Sequence, residues 1–295
     1  MIIVKLVGGL GNQMFQYSLG RRLSLARNVP LKLDLSWYVK DSSRSFALDA
    51  FDIKTEIASI AEVEKFVPPA LSGLKKEMFY FLQNHLPYRY RRVITEPLFS
   101  YNPVIVNKTP KNAYLLGYWQ SEKYFMDIDT LIHEDFTAIK PFSAVYHQWE
   151  VRIANQVAVS LHIRRGDYIS DTRFRRKYFV CSTAYYIRAI EKLQQMHSNL
   201  TIYVFSDDIH WARQELPGSN SLKFVDSEEM LTDVEELLLM SRCNHHVISN
   251  STFGWWGAWL NQKPDKIVIA PANWFIDRKL SEQSQDIIPE NWIRM

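Results

Sequence analysis

From Val157 to Arg164 the side chains alternate, with Val157, Val159, Leu161 and Ile163 on one face and Ala158, Ser160, His162 and Arg164 on the other. A period of two over that length predicts a strand, and Gly166 ends it. Further strands are predicted over 200–205, 222–225, 246–249 and, as the last, 266–270. Helices are predicted over 182–196, 209–215 and 233–243 and again after Asn250, and a polar loop over 170–177. Strands and helices alternating in this way predict a parallel sheet covered by helices. The first half opens similarly, with a buried strand from Ile2 to Val7, a glycine turn over 8–13 and a helix from Met14 to Arg27. A second strand over 30–35 follows, and another is predicted over 114–117, while 51–98 reads as mostly helical and loop-like. Pro141, Ser143 and their polar neighbours interrupt the pattern, which predicts two α/β domains, 1–145 and 146–295.

Composition narrows the function. The chain has 295 residues, enough for two cores, and 47% hydrophobic with 23% charged residues is ordinary for a globular protein. A net charge of +3 is too small to imply nucleic acid. It is compatible with an anionic small molecule or a loose contact with an acidic membrane surface. Two cysteines, Cys181 and Cys243, lack metal-ligand spacing and suit a reduced cytoplasm. No signal-peptide pattern opens the chain and nowhere do 18 apolar residues run together, so neither secretion nor a membrane span is expected.

Candidate chemistry gathers at strand ends. Arg164 and Arg165 are costly there unless an anion or a carboxylate such as Asp167 meets them, and both readings stand. The glycines at 9 and 11 suggest a dinucleotide fingerprint, but Met14 occupies the third glycine position and the match fails. What survives is a close backbone approach at Gly11, with Asn12 either capping the helix or presenting its amide. Asp34 closes the second strand. Tyr118, Trp119 and Gln120 emerge after another, as a sugar-binding wall or as core. Asp127-Ile-Asp129 looks like a metal-binding pair, but helix capping explains it better and no metal is expected. Ser249 to Gly254 is either an anion seat or a helix cap, whereas Trp255, Trp256 and Trp259 read as core. Glu236 is either a surface acid or an acceptor for the N1–H and N2–H2 edge of guanine. Arg89, Arg91 and Arg92 read as a solvated face or a contact for an acceptor or membrane.

Five stretches then occur together in order: Gly8-Gly-Leu-Gly-Asn-Gln-Met-Phe-Gln-Tyr17, Gly117-Tyr-Trp-Gln-Ser-Glu-Lys-Tyr-Phe125, His162-Ile-Arg-Arg-Gly-Asp-Tyr168, Phe205-Ser-Asp-Asp208 and Asn250-Ser-Thr-Phe-Gly-Trp-Trp-Gly-Ala-Trp-Leu260. From residue 2 to about 275 the chain closely resembles the bacterial α-1,2-fucosyltransferases of glycosyltransferase family 11, relatives of the α-1,6- and protein O-fucosyltransferases. The resemblance implies a GT-B architecture, two Rossmann-like domains facing across a cleft, with GDP-fucose held mainly by the carboxyl-terminal one. It implies inverting, metal-independent transfer to the 2-hydroxyl of a terminal β-galactoside, with no cofactor, in O-antigen or other surface-glycan synthesis. Arg164 and Arg165 are then diphosphate contacts, His162 lies close to the nucleotide, and Ser251, Thr252 and Phe253 line the β-phosphate. Asn12 reaches the cleft. Asp207 and Asn250 join the substrate-binding set, as do Gly11, Asp34, Trp119 and Gln120 on the acceptor side. Asp167 is the first candidate base, Asp34 or Asp171 the second. Glu236 departs from the Asp of many relatives. A cytoplasmic location with weak peripheral membrane contact through Arg173, Arg175, Arg176 and Lys177 is expected. The competing readings are a transferase with another donor, a nucleotide-sugar hydrolase and a non-catalytic nucleotide-sugar-binding protein; a nicotinamide oxidoreductase is disfavoured.

Overall fold

Short apolar runs between helices pair as parallel strands in two separate sheets. The computed structural model describes residues 1–41, 43–69, 71–218, 221–225 and 231–295. The chain divides into one unit of Met1–Ile139 with Gln283–Ile287 and another of Lys140–Glu282 with Ile288–Met295. The division after Ile139 falls just before Pro141, earlier than the sequence boundary, and the return of 283–287 to the first unit has no signature in the pattern. Its anchor is Asp286, which accepts hydrogen bonds from the Tyr101 amide at 2.9 Å and Lys123 Nζ at 2.8 Å.

In the first unit β1 (Ile2–Lys5), β2 (Leu31–Asp34), β3 (Glu56–Ile57), β4 (Val93–Thr95) and β5 (Ala113–Leu116) pair in the order β3-β2-β1-β5-β4. β3 and β4 lie inside the stretch expected to be helical and loop-like. They are two and three residues long, too short to show a period. The first helix runs Leu10–Arg27 and starts earlier than expected. The chain turns at Gly8, whose φ of 82° suits glycine, and Gly9 is the N-cap. Gly11 and Asn12 therefore lie within the first helical turn, and neither a glycine loop at 11 nor a cap at 12 is found.

In the second unit β6 (Val157–Ile163), β7 (Leu200–Ser206), β8 (Leu222–Val225), β9 (His245–Val247), β10 (Val268–Ala270) and β11 (Ile293–Arg294) pair in the order β11-β10-β9-β6-β7-β8. β11 was not expected; its pairing with β10 extends the sheet beyond the predicted last strand. The alternation of β6 is realised in packing. Val159, Leu161 and Ile163 bury against Tyr185, Tyr186 and Leu193 of the Thr183–Met196 helix. Ala158 faces the cluster of Tyr146, Trp149, Leu239 and Met240 on the other side. Each such large aliphatic side chain contributes roughly 1.5–3 kcal/mol on burial. The expected loop over 170–177 instead carries a short helix, Thr172–Arg175, directly after another, Gly166–Ser170.

Both sheets have a point where the strand order reverses, between β1 and β5 in the first and between β6 and β9 in the second. Ligands of open parallel sheets bind beyond the carboxyl ends of the strands at such points.

Candidate active site

At the carboxyl end of β6 the chain emerges as Arg164 and Arg165, whose side chains take different partners. Arg164 Nε donates to Asp167 Oδ1 at 3.1 Å, Nη2 lies 2.8 Å from Asp167 Oδ2, and Nη1 lies 3.2 Å from Asp207 Oδ2. Burial opposes the Arg164 charge, but Asp207 and Asp167 outweigh it and raise its pKa above the ordinary value. Of the five N–H donors of a guanidinium, this leaves one on each terminal nitrogen for a ligand. Arg165 has other neighbours, with Nε 3.4 Å from Asp208 Oδ2 and its guanidinium 3.8 Å over the ring of Trp211. Its backbone N–H donates to Asp207 Oδ1 at 2.8 Å. Asp207 therefore fixes the Arg164 side chain and the Arg165 backbone, and among the described residues the terminal nitrogens of Arg165 make no hydrogen bond or ion pair.

β9 supplies the opposite wall. Its extension, Ser249 to Ser251, leads into the Thr252–Trp259 helix, where Ser251 accepts the Phe253 N–H at 3.3 Å as the N-cap. Thr252 and Phe253 are half-buried at that helix start, where backbone N–H groups favour an anion. Asn250 is wholly buried, and its amide donates to the carbonyls of Phe179 at 2.6 Å and Trp274 at 2.8 Å. It fixes the loop by those two bonds. Trp255, Trp256 and Trp259 are core, as expected.

His162 links the two walls, its Nδ1 3.0 Å from Ser249 Oγ. Burial, helped by Arg164, lowers its pKa to about 3, so the ring is neutral at physiological pH. A Cβ on Gly254 would stand 2.6 Å from His162 Nδ1, so only glycine lets the helix start this close. Glu236, on the Asp233–Arg242 helix, is half-buried, and its carboxyl has no hydrogen-bond partner among the described residues. Burial, with Asp233 and Asp207 nearby, raises its pKa to about 7 against the pull of Arg164.

Two carboxylates weighed as bases are occupied. Both oxygens of Asp167 meet Arg164, the geometry of an orienting group. Asp171 caps the Thr172–Arg175 helix and lies 2.6 Å from Arg173 Nη2, whose hydrogen bonds lower its pKa.

The first unit's strand ends carry different chemistry. Asn12 Oδ1 accepts from Gln120 Nε2 at 2.9 Å, joining the helix after β1 to the turn after β5. Behind them Gln13 and Tyr38 donate to the Gly8 carbonyl at 3.2 and 3.0 Å, and Gln16 bridges the Val7 amide and the Gly117 carbonyl. Asp34 is buried and accepts from Tyr114 Oη at 2.6 Å and the Ser36 amide at 2.8 Å. Trp119 is core rather than sugar-binding wall: it is wholly buried and packs edge-on to Tyr124. Its φ of 58° is left-handed and costs on the order of 1–3 kcal/mol in a non-glycine residue. That turn is held by Glu96, which accepts the Tyr118 and Trp119 amides at 2.7 and 2.9 Å. Burial raises the Glu96 pKa to about 7 despite those two bonds. The sequence reading missed Glu96 because it missed β4; the only signal was the apolar Val93-Ile94 before Glu-Pro. It also missed Gln13, Gln16 and Tyr38, whose roles depend on pairings distant in sequence. Asp127 does not cap the Asp129–Asp135 helix; Arg22 grips it with Nε and Nη2 at 2.9–3.1 Å.

The chain and its fold have counterparts. The chain is 34% identical over 310 residues to an Escherichia coli alpha-1,2-colitosyltransferase, covering 100% of this chain and 99% of the relative. It is 32% identical over 321 residues to the Escherichia coli O-antigen biosynthesis glycosyltransferase WbnK, covering 98% and 99%. Among solved structures, NodZ, an alpha-1,6-fucosyltransferase soaked with GDP-fucose, superposes with a TM-score of 0.52 at 15% identity, over 88% of this chain and 92% of that one. That likeness places the two parallel-sheet units in the GT-B fold. Residues 1–295 match the glycosyl transferase family 11 pattern, and the chain belongs to that family.

Proposed function

We propose that the chain transfers L-fucose from GDP-β-L-fucose to the 2-hydroxyl of a terminal β-galactoside, forming an α-1,2 linkage in the synthesis of a surface glycan such as O-antigen. The observation that carries this reading is the Arg164 fork, oriented by Asp167 and Asp207 beside the start of the Thr252–Trp259 helix, with two N–H donors left over. In the reaction the acceptor oxygen forms a bond to the anomeric carbon as the bond to the β-phosphate oxygen breaks from the opposite face. The electron pair passes to GDP and the hydroxyl proton to a base. A fixed guanidinium and a helix amino terminus stabilise the charge that grows on GDP, so no metal is needed for that purpose. Donors already aimed by carboxylates need no reorganisation in the transition state. Neutral His162 lines this site, and Glu236, once ionised, accepts the two N–H groups of guanine. We assign the hydroxyl-rich acceptor to the amide network of Asn12 and Gln120, which suits a neutral ligand.

One relative favours a second donor. The alpha-1,2-colitosyltransferase is 34% identical over the whole chain, and colitose is fucose without its 3-hydroxyl. The two readings separate on that one group. The test is GDP release from GDP-fucose and from GDP-colitose with lactose, N-acetyllactosamine or Galβ1,3GalNAc, with and without EDTA, followed by NMR of the product. EDTA-resistant formation of an α-1,2-fucosyl linkage is the expected result. Turnover with GDP-colitose alone would replace the donor, and GDP binding without acceptor-dependent release would mark a binding protein.

A further inference from the structure

The helix Gly73–His85 is apolar on two opposite faces. Its inner face, Phe79 and Tyr80, packs on Ile3, Val93 and Tyr114. Gln83 Oε1 pins it by accepting the Arg92 and Val93 amides at 2.8 and 3.2 Å. The outer face presents Leu74, Met78, Phe81 and Leu82, which are 83%, 61%, 59% and 54% exposed. Positions 74, 78, 81 and 82 follow the i, i+4, i+7, i+8 spacing of a single helical stripe, here turned to solvent. The stripe continues into the exposed Leu86 and Tyr90. Four adjacent large apolar side chains on an anchored helix form a patch of the kind that marks an interaction surface.

The surrounding charge selects the occupant. Between residues 71 and 92 stand five cations, Lys75, Lys76, Arg89, Arg91 and Arg92, against one acid, Glu77. None of the five forms an ion pair among the described residues. Arg89 and Arg91 lie 4.7 and 4.0 Å over the rings of Tyr90 and Tyr88, an arrangement of aromatic and cation suited to a membrane interface, and Arg91 also donates to the Leu86 and Asn84 carbonyls. In the cluster at 173–177 Arg173 is held by Asp171, and none of the described residues there is an exposed large apolar side chain that could enter a bilayer. A twofold contact between two copies of this face would set each basic patch against its own image, and an apolar stripe offers nothing to a nucleic acid.

We infer that the outer face of the Gly73–His85 helix docks on an anionic lipid bilayer, with Leu74, Met78, Phe81 and Leu82 entering the headgroup boundary and the five cations meeting the lipid phosphates. This matches the character of an interfacial amphipathic helix. It is independent of which donor or acceptor the enzyme uses, so vesicle binding and turnover fail separately.

The experiment is co-sedimentation of the full chain with phosphatidylglycerol–phosphatidylethanolamine vesicles and with phosphatidylcholine vesicles, at low and high salt. The expected result is binding to the anionic vesicles that weakens with salt. Phe81→Ser with Leu82→Ser should abolish it, and Arg89→Glu with Arg92→Glu should weaken it by at least about fivefold for each cation removed. Arg175→Glu with Arg176→Glu should bind as the parent does. Thermal unfolding verifies that the exposed variants fold. Equal sedimentation with both vesicle types, undiminished binding of the serine variant, or a dimer in sedimentation velocity that the serine variant abolishes would each overturn the inference.

Discussion

The strand ends of the two sheets share a topology and differ in chemistry. In the second unit the reversal point between β6 and β9 carries Arg164 and Arg165 with Asp167, Asp207 and Asp208. In the first, the equivalent point between β1 and β5 carries the amides of Asn12 and Gln120, backed by Gln13 and Gln16. Charged forks hold an anion that gains charge as a bond breaks, whereas neutral amides recognise hydroxyls without burying a net charge. One topology thus carries two different sets of side chains at its strand ends.

The sharpest way to break that contrast is Arg164→Ala. Transfer should fall by about 100- to 1,000-fold in kcat, as for other lost transition-state donors, while circular dichroism stays native. Arg164→Lys should recover only part, because an ammonium cannot take both oxygens of Asp167 and still address Asp207. Next in size is Gly254→Ala, which pushes a methyl group to 2.6 Å from His162 Nδ1. Overpacking of this kind costs about 1–3 kcal/mol, read as a lowered thermal midpoint together with weaker GDP binding. Asn12→Ala removes the neutral hydrogen bond with Gln120, so the acceptor KM should rise by roughly two- to tenfold and the donor KM should not move.

Smallest is the effect of Glu236 on pH dependence. Its folded pKa of about 7 lies above the ordinary 4.5, so between those values the folded chain keeps a proton that the unfolded chain has lost. The resulting stability is complete below 4.5 and is lost as pH rises through about 7. Glu236→Gln should flatten that decline in a series of thermal melts, leaving the share due to Glu96. In the parent, GDP affinity should rise as pH passes about 7, where Glu236 ionises, and the Gln variant should lose that rise.

What could be read from the sequence follows from the range of the forces involved. β6 was plain because seven residues alternate strictly and both faces are buried; β3 and β4, with two and three residues, offer no period to read. The Arg164–Asp167 pair is local, three residues apart, and was foreseen as one of two readings. The bonds of Asp207 to Arg164, of Gln120 to Asn12 and of Asn250 to Trp274 join distant segments, and no local pattern encodes them. Trp119 marks the limit of composition as a guide. An aromatic at a strand end leaves both a sugar platform and the core open, and a left-handed turn held by Glu96 sends it into the core.

The most direct test of the division between the two ends is calorimetric titration of GDP into the parent, Arg164→Ala and Asn12→Ala. The charged end of the second unit should be the nucleotide site: Arg164→Ala should lose at least about tenfold in affinity, the scale of a charged hydrogen bond, and Asn12→Ala should bind as the parent does. Parent-like GDP affinity in a folded Arg164→Ala variant, or a comparable loss in Asn12→Ala, would contradict the assignment.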